Sequence, residues 1–400
     1  MSYHFSNNQL RVFGKYVRES RNQQLLENTR FIILEHLLPT TESMINLLKE
    51  EGKAEIFALI AKPYSLVEDV YRRLCKKNIR IIRNTYAELE NTDVLLGILI
   101  ESIDKSKTDG KRIIIIDVGG YFAKPILQLQ EKCPGDERYI TGVIEDTTFG
   151  HNRYIEKLDD INVPVFSVAR SSLKEIEARF VGQDAVFAME TILRDQGILM
   201  SGRHALVVGY GMIGKNVALA LKNSHLVVSV YDYYDHRNLA AYIDGFNIHK
   251  KRELIKNADI VFFATGNPEG ALSYEYIEEC KDRVILVSVG SKDTEFDLSK
   301  LKEQAIEQKP FGKYLKEYTI SNDRRIIVAN NGTAVNFILP SLSVEVLDLV
   351  FSEILICALL LLRYETTDEQ ERKYPPHILH VSDDKHRATI SKDWLRGVNS

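Results

Sequence analysis

The chain has 400 residues, 52 Lys and Arg against 56 Asp and Glu, a formal net charge of -4 and 44% hydrophobic residues. That length leaves room for two or three domains, each able to bury its own core, and the scattered, slightly outnumbered basic residues carry no nucleic-acid footprint. The opening stretch "MSYHFSNNQLRVFGKY" lacks the apolar core of a signal peptide.

Taken in chain order, the first part alternates short apolar runs with amphipathic stretches. "RFIILEHLL", "AEIFALIA", "IRIIRN", "RIIIIDVGG", "YITGVIED" and "VPVFSVA" read as strands, and "SLVEDVYRRLCKKN" reads as a helix between two of them. Strands separated by helices imply a parallel sheet covered on both faces. Residues 184 to 201, "DAVFAMETILRDQGILMS", form a predicted amphipathic helix leading to Gly202, a hinge into a second unit. There the same logic repeats, with "HALVVGYG", "HLVVSVYD", "ADIVFFATGN", "RVILVSVGS" and "RRIIVANN" as strands. The apolar run "LVFSEILICALLLL" is too short for a bilayer and contains Glu353, so a buried helix is expected, followed by a polar segment. Cys75, Cys133, Cys280 and Cys357 lie far apart with no metal-ligand spacing, which fits free thiols in a reducing cytoplasm and no bound metal.

Residues 206 to 218, "LVVGYGMIGKNVA", carry the most specific pattern. Gly209, Gly211 and Gly214 match G-x-G-x-x-G, with Ile213 before the third glycine. The first glycine permits a tight turn, the second lets backbone approach a pyrophosphate, and the third lets a helix lie close to the sheet. Phosphates then rest on unpaired N–H groups at the helix N-terminus. The next strand ends at Asp232, an acid suited to both ribose hydroxyls and hostile to a 2′-phosphate. NAD is therefore expected over NADP, although Arg237, five residues on, is a cation that a phosphate would suit.

"SGRHALVVGYGMIGKNVALAL" and "VSVGSKDTEFDLSKL", together with "IIIIDVGGY", "TGVIEDTTFGHNRY", "PVFSVARSSLK" and "RRIIVANNGTAVNF", resemble S-adenosylhomocysteine hydrolase (adenosylhomocysteinase) in family order over roughly residues 25 to 380. The resemblance implies an α/β architecture of two doubly wound domains. A Rossmann NAD-binding domain (184–336) is inserted into a parallel-sheet substrate domain (1–183), to which a C-terminal helix returns within 337–400. It also implies reversible oxidation of a ribose 3′-hydroxyl by bound NAD, which acidifies the neighbouring C–H and permits elimination.

On that resemblance Lys174 falls on the lysine facing the 3′-hydroxyl, Asp146 on an acid holding the ribose, His36 on a histidine near the leaving group, and Asp117 on the first acid of an Asp-Asp-Gly-Gly-Asp run. These four are the candidate catalytic residues. Thr147, Thr148, Thr265, Asn267, Val289, Gly290 and Asn336 fall on positions that line the cofactor. Other positions depart from the family. The second acid of the run is Val118, the aspartate partnering the lysine is Ala178, a histidine is Ser291, and an adenine-reading histidine aligns with Leu339. Arg170, Arg179 and Lys292 are cationic where the family is not, which makes Arg179, Ser291 and Lys292 candidates for contact with an anionic substrate group.

The losses face the substrate and the retained residues face the cofactor. The expected protein is a divergent NAD-dependent member acting on a nucleoside-like small molecule, a cytoplasmic homo-oligomer (dimer or tetramer) with no membrane or nucleic-acid partner. Genuine S-adenosylhomocysteine hydrolysis by a substituted site, and an inactive NAD-binding protein, are the competing expectations. A 2-hydroxyacid or alanine dehydrogenase is more distant.

Overall fold

The computed structural model describes residues 10–21, 23–266, 271–290, 295–339, 343–364 and 373–398. Two compact units form, one from Met1–Lys174 with Ser343–Ser400 and the other from Glu175–Leu342. The first contains strands β1 (Thr29–Leu37), β2 (Glu55–Leu66), β3 (Ile81–Arg83), β4 (Arg112–Asp117), β5 (Ile140–Glu145) and β6 (Val165–Ser167). The second contains β7 (His204–Val208), β8 (Val227–Tyr231), β9 (Asn247–Ile248), β10 (Ile260–Phe263), β11 (Val284–Ser288), β12 (Glu307–Pro310), β13 (Leu315–Thr319) and β14 (Arg325–Ala329). A last strand, β15 (Leu379–His380), rejoins the first sheet.

The first sheet runs β15-β6-β5-β4-β1-β2-β3, with every pairing parallel. Its middle strands are near-continuous aliphatic runs, such as Ile113 to Ile116, because helices cover both faces. On one face Ile32, Leu34, Ile113 and Ile115 pack with Leu95, Leu99, Phe122 and Ile126 from helices Thr92–Asp109 and Ala123–Lys132. On the other lies helix Val344–Arg363, the predicted apolar run, whose Leu361 sits directly over Gly142 of β5. Among the described residues no helix is long and apolar enough to cross a membrane.

The second sheet runs β12-β13-β14-β11-β10-β7-β8-β9, with β13 antiparallel to both β12 and β14 and the other pairings parallel. Both sheets share one order at their centre: β3-β2-β1-β4-β5-β6 in the first and β9-β8-β7-β10-β11-β14 in the second. This doubly wound order reverses direction between β1 and β4, and again between β7 and β10. In doubly wound sheets of this order, ligand crevices form beyond the carboxyl ends of those strand pairs.

One element differs from expectation. The helix predicted from residue 184 starts at Ser172 and runs to Asp195. Its start is set by Ser171, whose Oγ accepts the Lys174 amide at 3.1 Å, an N-cap three residues ahead. Residues 196–201 leave the helix as Gly197 takes a φ of +68°.

Candidate functional site

In the first unit the site residues gather at the carboxyl end of the sheet. Glu35 and His36 close β1, Asp117 closes β4, Glu145 closes β5 and Asp146 follows it, while Lys174 lies in the first turn of helix Ser172–Asp195. Lys174 Nζ pairs with Asp146 Oδ1 at 2.8 Å, with side chains only 15% and 10% exposed. Two of the expected residues are thus in direct contact, in a setting where water screens them poorly.

His36 joins them as a neutral group. Burial, and then the Lys62 and Lys174 ammonium groups, hold its imidazole well below its usual range. Its Nδ1 lies against Ser65 Oγ, and its ring packs edge-on to Tyr64 at 5.4 Å.

Asp117, expected in an acid/base role, is held within the turn that follows β4. Its carboxylate is wholly buried and accepts from the Tyr121 amide (3.1 Å), the Phe122 amide (2.8 Å) and Tyr154 Oη (2.8 Å). With those bonds it builds the turn after β4 and the start of helix Ala123–Lys132. Thr147 is committed in a similar way. It caps helix Thr148–Ile155 by accepting from Gly150 N at 3.0 Å, and it donates to Glu145 Oε1 at 2.7 Å. Thr148 is exposed in the first turn. Val118, where the family's second acid is replaced, is buried.

Three charged residues of this rim escaped the sequence reading. Glu35 is 3% exposed, and its Oε1 accepts the His36 amide at 2.6 Å. Burial, followed by the Asp146 carboxylate, pushes Glu35 up to about 8, against the opposing pull of the His36 amide, Lys174 and Lys62. Glu145 is a hub that accepts from the amides of Gly119, Gly120, Asp146 and Thr147, and burial raises its carboxyl too. Lys62, on β2, is 1% exposed and lies 4.9 Å over the Tyr121 ring. Burial lowers its ammonium, while Glu145, Asp117 and Glu35 act to raise it. The only sequence signal was an acid or a lysine standing inside an apolar run: "IILEHLL", "ALIAKPY" and "GVIEDTT".

In the second unit the glycine loop follows β7. Gly209 has a φ of +98°, and a Cβ on Gly214 would fall 1.9 Å from Gly209 O, so the turn and the close helix approach both demand glycine. A Cβ on Gly211 would meet nothing within 4 Å but Arg237 Nη1, at 3.9 Å, which leaves open space where a pyrophosphate needs it. Asp232 follows β8 and is 4% exposed. It accepts from the Tyr210 amide at 2.6 Å and the Tyr234 amide at 2.9 Å, with Arg237 Nη1 3.5 Å away. Oδ1 therefore keeps a lone pair for a ribose hydroxyl, while Oδ2 accepts from both the Tyr210 amide and Arg237.

After β10, Thr265 donates from Oγ1 to Glu295 at 2.6 Å, and the Thr265 and Gly266 amides reach the same buried carboxylate. Gly290 fits only as glycine, because a Cβ there would stand 2.3 Å from Glu295 Oε1. Val289 is buried, Ile213 is half-buried, and Asn336 Oδ1 and Ser288 Oγ are buried polar atoms without a hydrogen-bond partner. Unpaired buried polar atoms and an open glycine turn within one unit fit a polar planar ligand such as a nicotinamide dinucleotide. Asn267, Ser291 and Lys292 lie outside the described residues. Ala178 is buried, Leu339 packs against the core of this unit, and Arg179 and Arg170 are exposed, Arg170 bonding Asn152 at 3.1 Å.

Residues 183–340 match the family model described as S-adenosyl-L-homocysteine hydrolase, NAD binding domain. The adenosylhomocysteinase of Thermotoga maritima is 28% identical over 368 residues, covering 90% of this chain and 85% of the relative. Those of Archaeoglobus fulgidus and Saccharolobus solfataricus are 27% and 29% identical, covering 86% and 79% of this chain and 82% and 73% of theirs.

Over most of its length the chain is thus similar to adenosylhomocysteinases, and residues 183–340 resemble the NAD-binding domain of that family.

Its cofactor is NAD, as the match of residues 183–340 to an NAD-binding domain supports.

Proposed function

We propose that this chain is an NAD-dependent enzyme that oxidises a ribosyl, 3′-type hydroxyl of a nucleoside- or nucleotide-like substrate, with elimination or epimerisation at the adjacent carbon as the following step. The observation that carries this reading is the Lys174–Asp146 pair at 2.8 Å, at the carboxyl end of a doubly wound sheet and beside the buried Glu35 and a neutral His36.

Bound NAD supplies a two-electron oxidation of the alcohol carbon and its later reversal. Lys174 takes the hydroxyl proton at Nζ, having passed its own proton to the Asp146 carboxylate it touches. Asp146 also orients the sugar by accepting from a ribose hydroxyl. His36, held neutral by burial and the two ammonium groups, is a weak base placed to hydrogen-bond a reacting oxygen rather than to take its proton.

The test is to mix NAD-loaded protein with adenosine, adenine nucleotides, S-adenosylhomocysteine and simple sugars, and to follow the absorbance of reduced nicotinamide. A rise with at least one ribosyl compound is expected. Silence across the panel overturns the reading and favours an inactive NAD-binding protein, whereas thiol release from S-adenosylhomocysteine points to genuine hydrolysis.

A further inference from the structure

Behind Lys174 stands a buried acid that the chemistry above does not use. Glu353, on helix Val344–Arg363, has a side chain with 0% exposure. Its Oε2 accepts from Ser171 Oγ at 2.6 Å, and its Oε1 accepts from Ser382 Oγ. Arg387 Nη1 lies 3.9 Å from the same Oε1 and 2.9 Å from Ser382 Oγ. Ser382 follows β15, the strand that pairs with β6.

A serine hydroxyl has one hydrogen and two lone pairs. Because Ser171 gives its hydrogen to Glu353, its lone pairs are left for the Lys174 amide, which it accepts at 3.1 Å. One carboxylate therefore fixes the rotor of the N-cap, and the N-cap fixes the helical turn from which Lys174 reaches Asp146.

We infer that Glu353 is a positioning residue for Lys174. Through Ser171 it locks the first turn of helix Ser172–Asp195, and through Ser382 it makes the seating of the C-terminal segment a condition of the Lys174–Asp146 contact. A glutamine cannot replace it, since an amide offers one acceptor oxygen and both serines must donate.

The inference rests on Lys174 being a reacting group, but its test does not use turnover. Intact NAD-loaded protein is treated with an amine-acylating reagent over a range of pH, and the Lys174 peptide is quantified by mass spectrometry. Glu353→Gln and Ser171→Ala are expected to speed Lys174 labelling at neutral pH about fivefold and to move its pH profile, the change that loss of an ion pair implies. Ser171→Thr keeps the hydroxyl and should label like the unaltered chain. Asp348→Asn serves as a control for general loosening. It lies on the same helix, but its carboxylate holds the Val12 and Phe13 amides at 2.8 and 2.9 Å, so it should leave the profile in place.

Should Glu353→Gln fail to fold, Ser382→Ala cuts the other arm of the carboxylate and carries the same expectation. Unchanged labelling in Ser171→Ala and the Glu353 or Ser382 variant overturns the inference, as does an equal shift in Asp348→Asn or a Ser171→Thr chain that behaves like Ser171→Ala. Failure of the substrate panel with a shifted labelling profile would reject the proposed activity and leave the positioning role standing.

Discussion

In the first unit, the strands flanking the reversal of order end in Glu35–His36 and Asp117. In the second, they lead into Gly209 and into Ala264–Thr265. The two sheets share their central strand order, yet one crevice is packed with buried charge while the other is cleared by glycine. The fold supplies the same place twice, and the side chains decide its use. A turn without side chains admits a diphosphate to backbone N–H groups. Buried acids and lysines pressed together have shifted proton affinities, the property that proton transfer requires.

The largest effect separating the two crevices is expected from Gly214→Ala. The added Cβ would stand 1.9 Å from Gly209 O, so the helix start must move away from the glycine turn. NAD affinity, measured by calorimetry, should fall by about a hundredfold or more, roughly the 3 kcal/mol expected for overpacking a tight backbone contact. The labelling of Lys174 in the first unit should stay as it was. Retained NAD affinity would mean that the loop is not the pyrophosphate site.

Next in size is Glu35→Gln, read through stability against pH. The carboxyl of Glu35 is raised from 4.5 to about 8 in the folded chain, so the fold binds a proton that the unfolded chain releases. Its stabilising contribution is therefore complete below pH 4.5 and is lost as pH climbs towards about 8, by on the order of a few kcal/mol. Glutamine never ionises. Denaturant midpoints should thus decline less between mildly acidic and mildly alkaline pH in Glu35→Gln than in the unaltered chain, and parallel declines would show that Glu35 does not titrate in that window.

A smaller change is expected from Asp232→Asn. Asparagine keeps one acceptor and loses the charge that repels a 2′-phosphate, so NAD affinity should drop about tenfold while NADP affinity drops less or rises. A variant that preserves the original ratio of the two affinities would remove Asp232 from the ribose site.

How much of this was legible in the sequence differs between the two regions. The glycine loop could be read because its chemistry is local: Gly209, Gly211 and Gly214 lie within six residues, between a strand and a helix that the same stretch encodes. The central strands were also legible, being aliphatic runs bounded by polar turns. The hairpin of β12 and β13 was not, because β12 is Glu-Gln-Lys-Pro with every residue exposed and offers no apolar pattern. The charged crevice was half legible. Lys174 and Asp146 were found through resemblance, but Glu35, Lys62 and Glu145 meet only because parallel strands distant in sequence end at one edge. Asp117 was legible as a strand-end acid, but its three hydrogen bonds to the following turn and to Tyr154 were not. Nothing in the sequence could show that Glu353 meets Ser171 across 182 residues.

The most direct test of this division of labour compares the unaltered chain with Lys174→Ala, both loaded with NAD and mixed with the ribosyl panel. Both should bind NAD equally, and the rate of nicotinamide reduction should fall by about 10²- to 10⁴-fold in the variant. Equal rates in the two proteins, or loss of NAD binding from the variant alone, would contradict the account.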